Sequence, residues 1–246
     1  MRTFLTLDVV GVAAAVVLGA LVLVFGSLVW TPGGQFSWNW QEGLFLLGGL
    51  LVFLVASAIA TGFKKNVKRR MRNYERQRGW RNVLANGLVP LLLAFALFIN
   101  GPLGFPFLAV VIEFMYAGSL AAITADKFSS EIGVLDHKVV MLATLKETRP
   151  GVSGGVSVLG LLAGALGALV IGAVLAFYEG VSLGILQYPG LVLASALFIV
   201  VSGVAGNLAD SLLGYFENKG IGNKYTSNFV CAAVGAAVVL LLFLFL

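Results

Sequence analysis

Charge is what this sequence has least of. Only 11% of its 246 residues are Asp, Glu, Lys or Arg, 59% are hydrophobic, and the mean hydropathy is +0.99. Water-soluble domains carry roughly a quarter charged residues, so that class is excluded. Cysteine is nearly absent too. Cys231 stands alone in an apolar run, which rules out an intrachain disulfide and reads as a small buried hydrophobe. His137 is the single histidine and has no Cys or His companion. A histidine-based metal centre is therefore disfavoured, and any metal would be held by oxygen, as magnesium or manganese are. Glycine-rich turns lack the Lys-Ser/Thr ending of a P-loop, and no nucleic-acid-binding module accompanies the basic residues.

Long apolar runs are abundant instead. Residues 9–30, 43–63, 83–100, 107–124, 155–178, 191–214 and 229–246 are each long enough to cross a bilayer core. They predict one all-α transmembrane domain over residues 1–246, with about seven helices. Thirty-one glycines suit close helix packing, the reading given to GLLAGALGALVIG (160–172). Nine of the sixteen Lys and Arg fall between Lys64 and Arg81. With the N-terminus in the cytoplasm and the C-terminus outside, all sixteen face the cytoplasm, as the positive-inside rule asks. The basic loop, 64–82, is chiefly topogenic, with anionic lipid or a phosphorylated substrate as a second use. The outer loops then keep only Glu42 and Glu179, with Trp38 and Trp40 as interfacial anchors. Residues 139–145 are apolar enough for a short amphipathic or re-entrant helix.

Against this background three polar stretches stand out. ADKFSSEIG (125–133) sets Asp126, Lys127, Ser129, Ser130 and Glu131 at the end of the fourth run. Asp126 and Glu131 lie about 140° apart on a helix, so one ion meets both only if the helix breaks there. Asp126 and Ser129 or Ser130 share a face on an intact helix, and both geometries stay open. GNLADSLLGYFE (206–217) closes the sixth run, where Asn207, Asp210 and Glu217 share a face with Gly203 and Gly214. RPGVSGGVS (149–157) reads as an anion cradle, with Arg149 for phosphate, the freed backbone of Gly151, Gly154 and Gly155, and the Ser153 hydroxyl. Glu113, in the middle of the fourth run, either faces a cavity or a partner rather than lipid, or is protonated and neutral in the packing. Acidic groups that hold Mg²⁺ on a nucleotide, with basic groups beside them, suit phosphoryl transfer to a lipidic acceptor.

RGWRNVLANG (78–87), ADKFSSEIG, RPGVSGGVSVLG (149–160), GNLADSLLGYFE and NKYTSNFVCAAVGA (223–236) occur in this order. They resemble the integral membrane family called domain of unknown function ninety-two. The family is also distantly similar to dolichol-kinase-type and CDP-diacylglycerol-synthase-type enzymes. Its characterised plant members are phytyl-phosphate kinases, so the resemblance implies transfer of phosphate from CTP or another nucleoside triphosphate to a prenyl monophosphate. It places Asp126, Ser129, Ser130, Glu131, Asp210 and the 149–155 turn in the active region. Asp126, Glu131 and Asp210 would then hold Mg²⁺ or Mn²⁺, with Lys127 among the catalytic groups and Asn207, Ser211, Asn223 and Lys224 as further substrate contacts. Lys127 departs from the threonine usual after the first aspartate. It would either neutralise a phosphate or pair with Asp126 and displace the metal. The implied partners are a prenyl-phosphate lipid, a nucleotide and membrane lipids, with no nucleic acid, in a prokaryotic plasma membrane. The competing reading is a transporter or flippase for lipid phosphates, which Glu113 favours because alternating access needs polar groups at depth.

Overall fold

A computed structural model of the protein describes residues 7–70, 78–182 and 184–245, so Arg2, Arg72 and Arg76 of the basic expectation lie outside the described residues. Seven of the described helices are long and apolar enough to cross a membrane: α1 (Val9–Ser27), α2 (Trp40–Gly62), α4 (Trp80–Leu103), α5 (Pro106–Gly133), α6 (Val158–Ser182), α7 (Pro189–Glu217) and α8 (Lys224–Leu244). A short α3 (Lys65–Arg70) carries part of the basic run between α2 and α4.

Several helices run past the apolar stretches because capping residues set their starts. Asp8 opens α1 by accepting from the Gly11 N–H at 2.6 Å, and Asn39 opens α2 by accepting from Glu42. Asn223 and Thr226 form a capping box that starts α8 five residues before the expected span. Pro90 sits inside α4 without ending it, and Gly104, in the left-handed region at φ 66°, does.

Two expectations fail in the connections. Residues 139–145 are not a helix. β3 (Val139–Met141) pairs antiparallel with both β4 (Lys146–Thr148) and β5 (Gly155–Val156), because two adjacent β-branched valines favour extended backbone. Strand β5 also takes the first residues expected for the fifth span. The outer loop before α2 is partly ordered as well, since β1 (Leu28–Trp30) pairs with β2 (Phe36–Trp38), and the exposed Trp38 and Trp40 rings stack at 5.0 Å.

α5 is the central helix. Of its most apolar stretch 67% is buried, against 22% for α1, and it packs on α2, α4, α6, α7 and α8. Its inner turns are small, with Ala117, Gly118, Ser119, Ala121, Ala122 and Ala125 all buried, so neighbours come to backbone contact. A Cβ on Gly235 of α8 would stand 2.4 Å from the Gly118 carbonyl, and one on Gly206 of α7 would stand 2.4 Å from the Ala122 Cβ.

The helix ends gather in two layers. At one end the Asp8 N–H donates to the Arg78 carbonyl, Thr61 to Glu131, and Ser157 to the Gly133 carbonyl. That layer, the basic end, collects the starts of α1, α4, α6 and α8 and the finishes of α2, α5 and α7. At the opposite end the Asn39 N–H donates to the Ser27 carbonyl, and Phe107 meets Phe243.

Backbone contact along α5 makes a specific prediction. Gly235→Val should destabilise the protein by about 1–3 kcal/mol through overpacking, read as a lower unfolding temperature in detergent. Gly62→Ala, with open space around it, should leave that temperature unchanged.

Candidate functional site

At the basic end a cavity of about 360 Å³ opens between the finish of α5, the finish of α7, the start of α8 and the 151–157 turn. Its wall includes Asp126, Lys127, Ser129, Ser130 and Glu131 from α5, and Asn207, Asp210, Ser211 and Glu217 from α7. Gly151, Ser153, Gly154, Gly155 and Lys224 complete the candidates gathered there. The volume is that of a small-molecule site.

α5 is unbroken through Gly133, which settles the geometry left open by sequence. Asp126 turns to α7, and its carboxyl lies within hydrogen-bonding reach of the Asp210 carboxyl. Two carboxylates in contact need a cation or a shared proton between them. Lys224 and then Arg78 are the cations that bear most on Asp126. Asp210 Oδ1 is buried with no hydrogen-bond partner. Glu131 turns the other way. Its Oε2 takes a 2.7 Å bond from Lys68, and its Oε1 takes bonds from Lys127 at 2.5 Å, Thr61 at 3.0 Å and Arg78 at 3.3 Å.

Four expectations are corrected here. Glu131 is not placed to share a metal with Asp126 and Asp210, because three cations occupy it; among the described residues no group of three His, Cys, Asp or Glu is spaced to hold a metal ion. Lys127 pairs with Glu131 one turn on, not with Asp126. Arg149 is exposed and does not line the cavity. Asn223 spends its side-chain oxygen capping α8 on the Tyr225 and Thr226 N–H groups.

The glycine-rich turn lines the cavity but is bound chiefly to α7. Gly154 is at φ 82°, and a Cβ there would meet Tyr215 N at 2.7 Å. Ser153 Oγ donates to Glu217 Oε2 at 2.9 Å, and Asn218 donates to the Ser153 carbonyl at 2.7 Å. Within the turn, the Val152 and Gly155 N–H groups donate to the Arg149 and Val152 carbonyls.

Sequence reasoning missed Lys68, Ser157, Ser227 and Asn228. Lys68 is fully buried and also donates to the Ala60 and Thr61 carbonyls, yet it lay among nine similar charges. Ser227 stands one turn after the cap Asn223 and donates to Glu217 Oε1, a signal that NKYTSN carries once α8 is started correctly. Glu42 and Glu179 were expected in loops. Glu42 instead lies in the first turn of α2 and Glu179 is buried within α6, and both reach Glu113, which thus faces partners at the opposite end of the bundle.

Mg²⁺, which the family resemblance implies, fits the pair rather than the expected triad. Two carboxyls, one with an orphaned buried oxygen, stand among serine and asparagine side chains and supply hard donors. Magnesium is characteristically held by one or two carboxylates, with substrate phosphates completing the shell.

Fold and site together define a polytopic membrane protein with a polar cavity at one end of its bundle. Residues 2–236 match the family model of integral membrane protein DUF92, and the chain belongs to that family. It is 34% identical over 196 residues to an uncharacterized membrane protein of Methanocaldococcus jannaschii, covering 79% of this chain and 74% of that one. Protein PGR of Arabidopsis thaliana is 30% identical over 180 residues, 67% of this chain and 62% of the relative. No solved structure matches.

Asp136, in the connection after α5, accepts from the N–H groups of Lys138 at 3.2 Å and Leu159 at 3.3 Å, and these bonds, Lys138 first, hold its carboxyl below the ordinary value. Its contribution is complete above the unfolded value near about pH 4 and fades as pH falls through the folded one. Asp136→Asn should therefore flatten the acid limb of the stability profile, measured by thermal unfolding between neutral and acid pH. In the ion cluster, Glu131→Gln removes the carboxylate that Lys68, Lys127 and Arg78 share and should cost about 3–5 kcal/mol. Lys127→Thr, which keeps Lys68 and Arg78 on the carboxylate, should lower the unfolding temperature by less.

Proposed function

We propose that this protein is a membrane-embedded prenyl-phosphate kinase. It transfers a phosphoryl group from CTP or another nucleoside triphosphate to a prenyl monophosphate of the phytyl or geranylgeranyl type. The observation that carries this reading is the contact between Asp126 and Asp210, contributed by two helices to one polar cavity with Lys127 and Lys224 in its wall. The family's plant members, phytyl-phosphate kinases by the resemblance above, support the same chemistry.

Asp126 and Asp210 would hold Mg²⁺, which when bound neutralises charge on the nucleotide phosphates. An oxygen of the prenyl monophosphate attacks the terminal phosphorus; the bond to the bridging oxygen breaks, and the nucleoside diphosphate leaves with that electron pair. Lys127 and Lys224 offset negative charge on the transferring group, and Ser129 and Asn207 offer hydrogen bonds to phosphate oxygens. Such transfer is mainly positioning and electrostatics, and so needs no covalent intermediate. The basic residues orient this end toward the cytoplasm of a prokaryotic plasma membrane.

A transporter of lipid phosphates is the second reading, favoured by the carboxyl groups of Glu42, Glu113 and Glu179 in mutual reach at the other end. One comparison separates the two. Protein in nanodiscs with CTP or ATP, Mg²⁺ and geranylgeranyl phosphate should form the diphosphate, and Asp126→Asn and Asp210→Asn should each lower turnover by about 100-fold or more at unchanged unfolding temperature. Robust turnover in either variant removes the metal assignment. Absence of diphosphate, with flux of labelled prenyl phosphate across liposomes lacking nucleotide, establishes the transporter instead.

A further inference from the structure

A second cavity, of about 450 Å³, lies on the other side of the Glu131 cluster, between α1, α2 and α4. Val12 and Leu23 of α1, Leu50 and Leu54 of α2, and Val83 and Gly87 of α4 form much of its wall. Along α1 the stretch from Val12 to Leu23 measures about 16 Å. Only one end is strongly polar, where Arg78, Asn82 and Asn86 meet.

Arg78 links the two cavities. It lines the apolar groove, and its guanidinium bonds Glu131, which with Lys127 lines the polar cavity. Lys68, Lys127 and Arg78 gather at this seam, so a phosphate brought there meets positive charge. A ligand with a multiply charged head and a long apolar tail satisfies both surfaces at once. A neutral lipid fits the groove alone and makes no use of the charged seam.

We propose that this groove binds the hydrocarbon chain of the prenyl monophosphate, with Arg78 holding the phosphate at the entrance to the carboxyl-pair cavity. The inference rests on the kinase reading only for the identity of the lipid. It accounts for the small residues Ala15, Gly19 and Ala58 in the wall, whose lack of bulk keeps the groove open. It also makes chain length a property of α1, α2 and α4, apart from the helices that carry Asp126 and Asp210.

The test is photo-crosslinking in phosphatidylcholine nanodiscs without nucleotide, using geranylgeranyl phosphate with a diazirine in its tail. Adducts should map to α1, α2 and α4, and unlabelled geranylgeranyl phosphate should compete while phosphatidic acid does not. Ala15→Phe and Ala58→Phe should each lower labelling about fivefold by filling the groove. Ala13→Phe, on the exposed side of α1, should not. Geranylgeraniol should compete about tenfold less well than its phosphate, and Arg78→Gln should erase that difference. Adducts on the exposed faces of α6 and α7, or labelling that no prenyl phosphate displaces, would overturn the groove. Equal displacement by phosphatidic acid would make its occupant a phospholipid, and equal competition by the alcohol would remove Arg78 from phosphate binding. Because labelling needs no turnover, a labelled groove without kinase activity overturns the kinase alone. Turnover without groove labelling overturns only this inference.

Discussion

The carboxylate of Glu131 decides which groups remain for chemistry. It binds the fully buried ammonium of Lys68 at 2.7 Å while Lys127, Arg78 and Thr61 share its other oxygen. Taking such charges out of water costs several kcal/mol per ion unless every proton finds an acceptor. Lys68 meets that condition, with its three N–H bonds directed to Glu131 and to the carbonyls of Ala60 and Thr61. The cluster therefore ties α2 and the start of α4 to α5. It also draws Lys127 toward Glu131, so that Asp126 meets Asp210 without a lysine salt bridge from its own helix neighbour.

The meeting of those two aspartates depends in turn on how closely α5 and α7 approach. Gly206 and Ala122 make that approach, and Asp210 and Asp126 each lie four residues further on, one turn nearer the basic end. A larger residue at Gly206 would push the helices apart immediately below the carboxyl pair. Gly214, two turns beyond Gly206, receives the turn at Gly154 in the same way, which brings Ser153 onto Glu217. Small residues thus act here through what they allow the next polar side chain to reach.

Much of this was legible in the sequence, and the exceptions have physical reasons. Spans were readable because lipid demands long apolar helices, and Asp126 and Asp210 stood out because carboxyls near a bilayer are costly. Spacing could not say whether α5 continued through Glu131, since that depended on Lys68 and Arg78, which lie 63 and 53 positions away. Lys68 was hidden because composition treats nine clustered cations alike, and only the fold selects the buried one. Asn223 was ambiguous in another way, because an asparagine before a helix serves equally as a cap or as a ligand. The strand at Val139–Met141 was hidden because an apolar run this short suits helix or strand alike, and its partners, Lys146–Thr148 and Gly155–Val156, carry no alternating apolar pattern.

The two ends of the bundle differ in the charge they offer to an anion. Both gather acidic groups from several helices. Around Asp126 and Glu131 the acids come with Lys68, Arg78, Lys127 and Lys224, so an anionic substrate meets positive charge as well as carboxyl oxygens. At Glu113 the neighbours are Glu42, Glu179 and, nearby, Tyr178, and among the described residues none of the three glutamates makes an ion pair with Lys or Arg. That end, among the described residues, offers an anion no lysine or arginine paired with its carboxyl groups. The same residue type, glutamate, therefore serves opposite ends differently: cations make it part of an anion-attracting surface at one, and carboxyl groups gather on one another at the other.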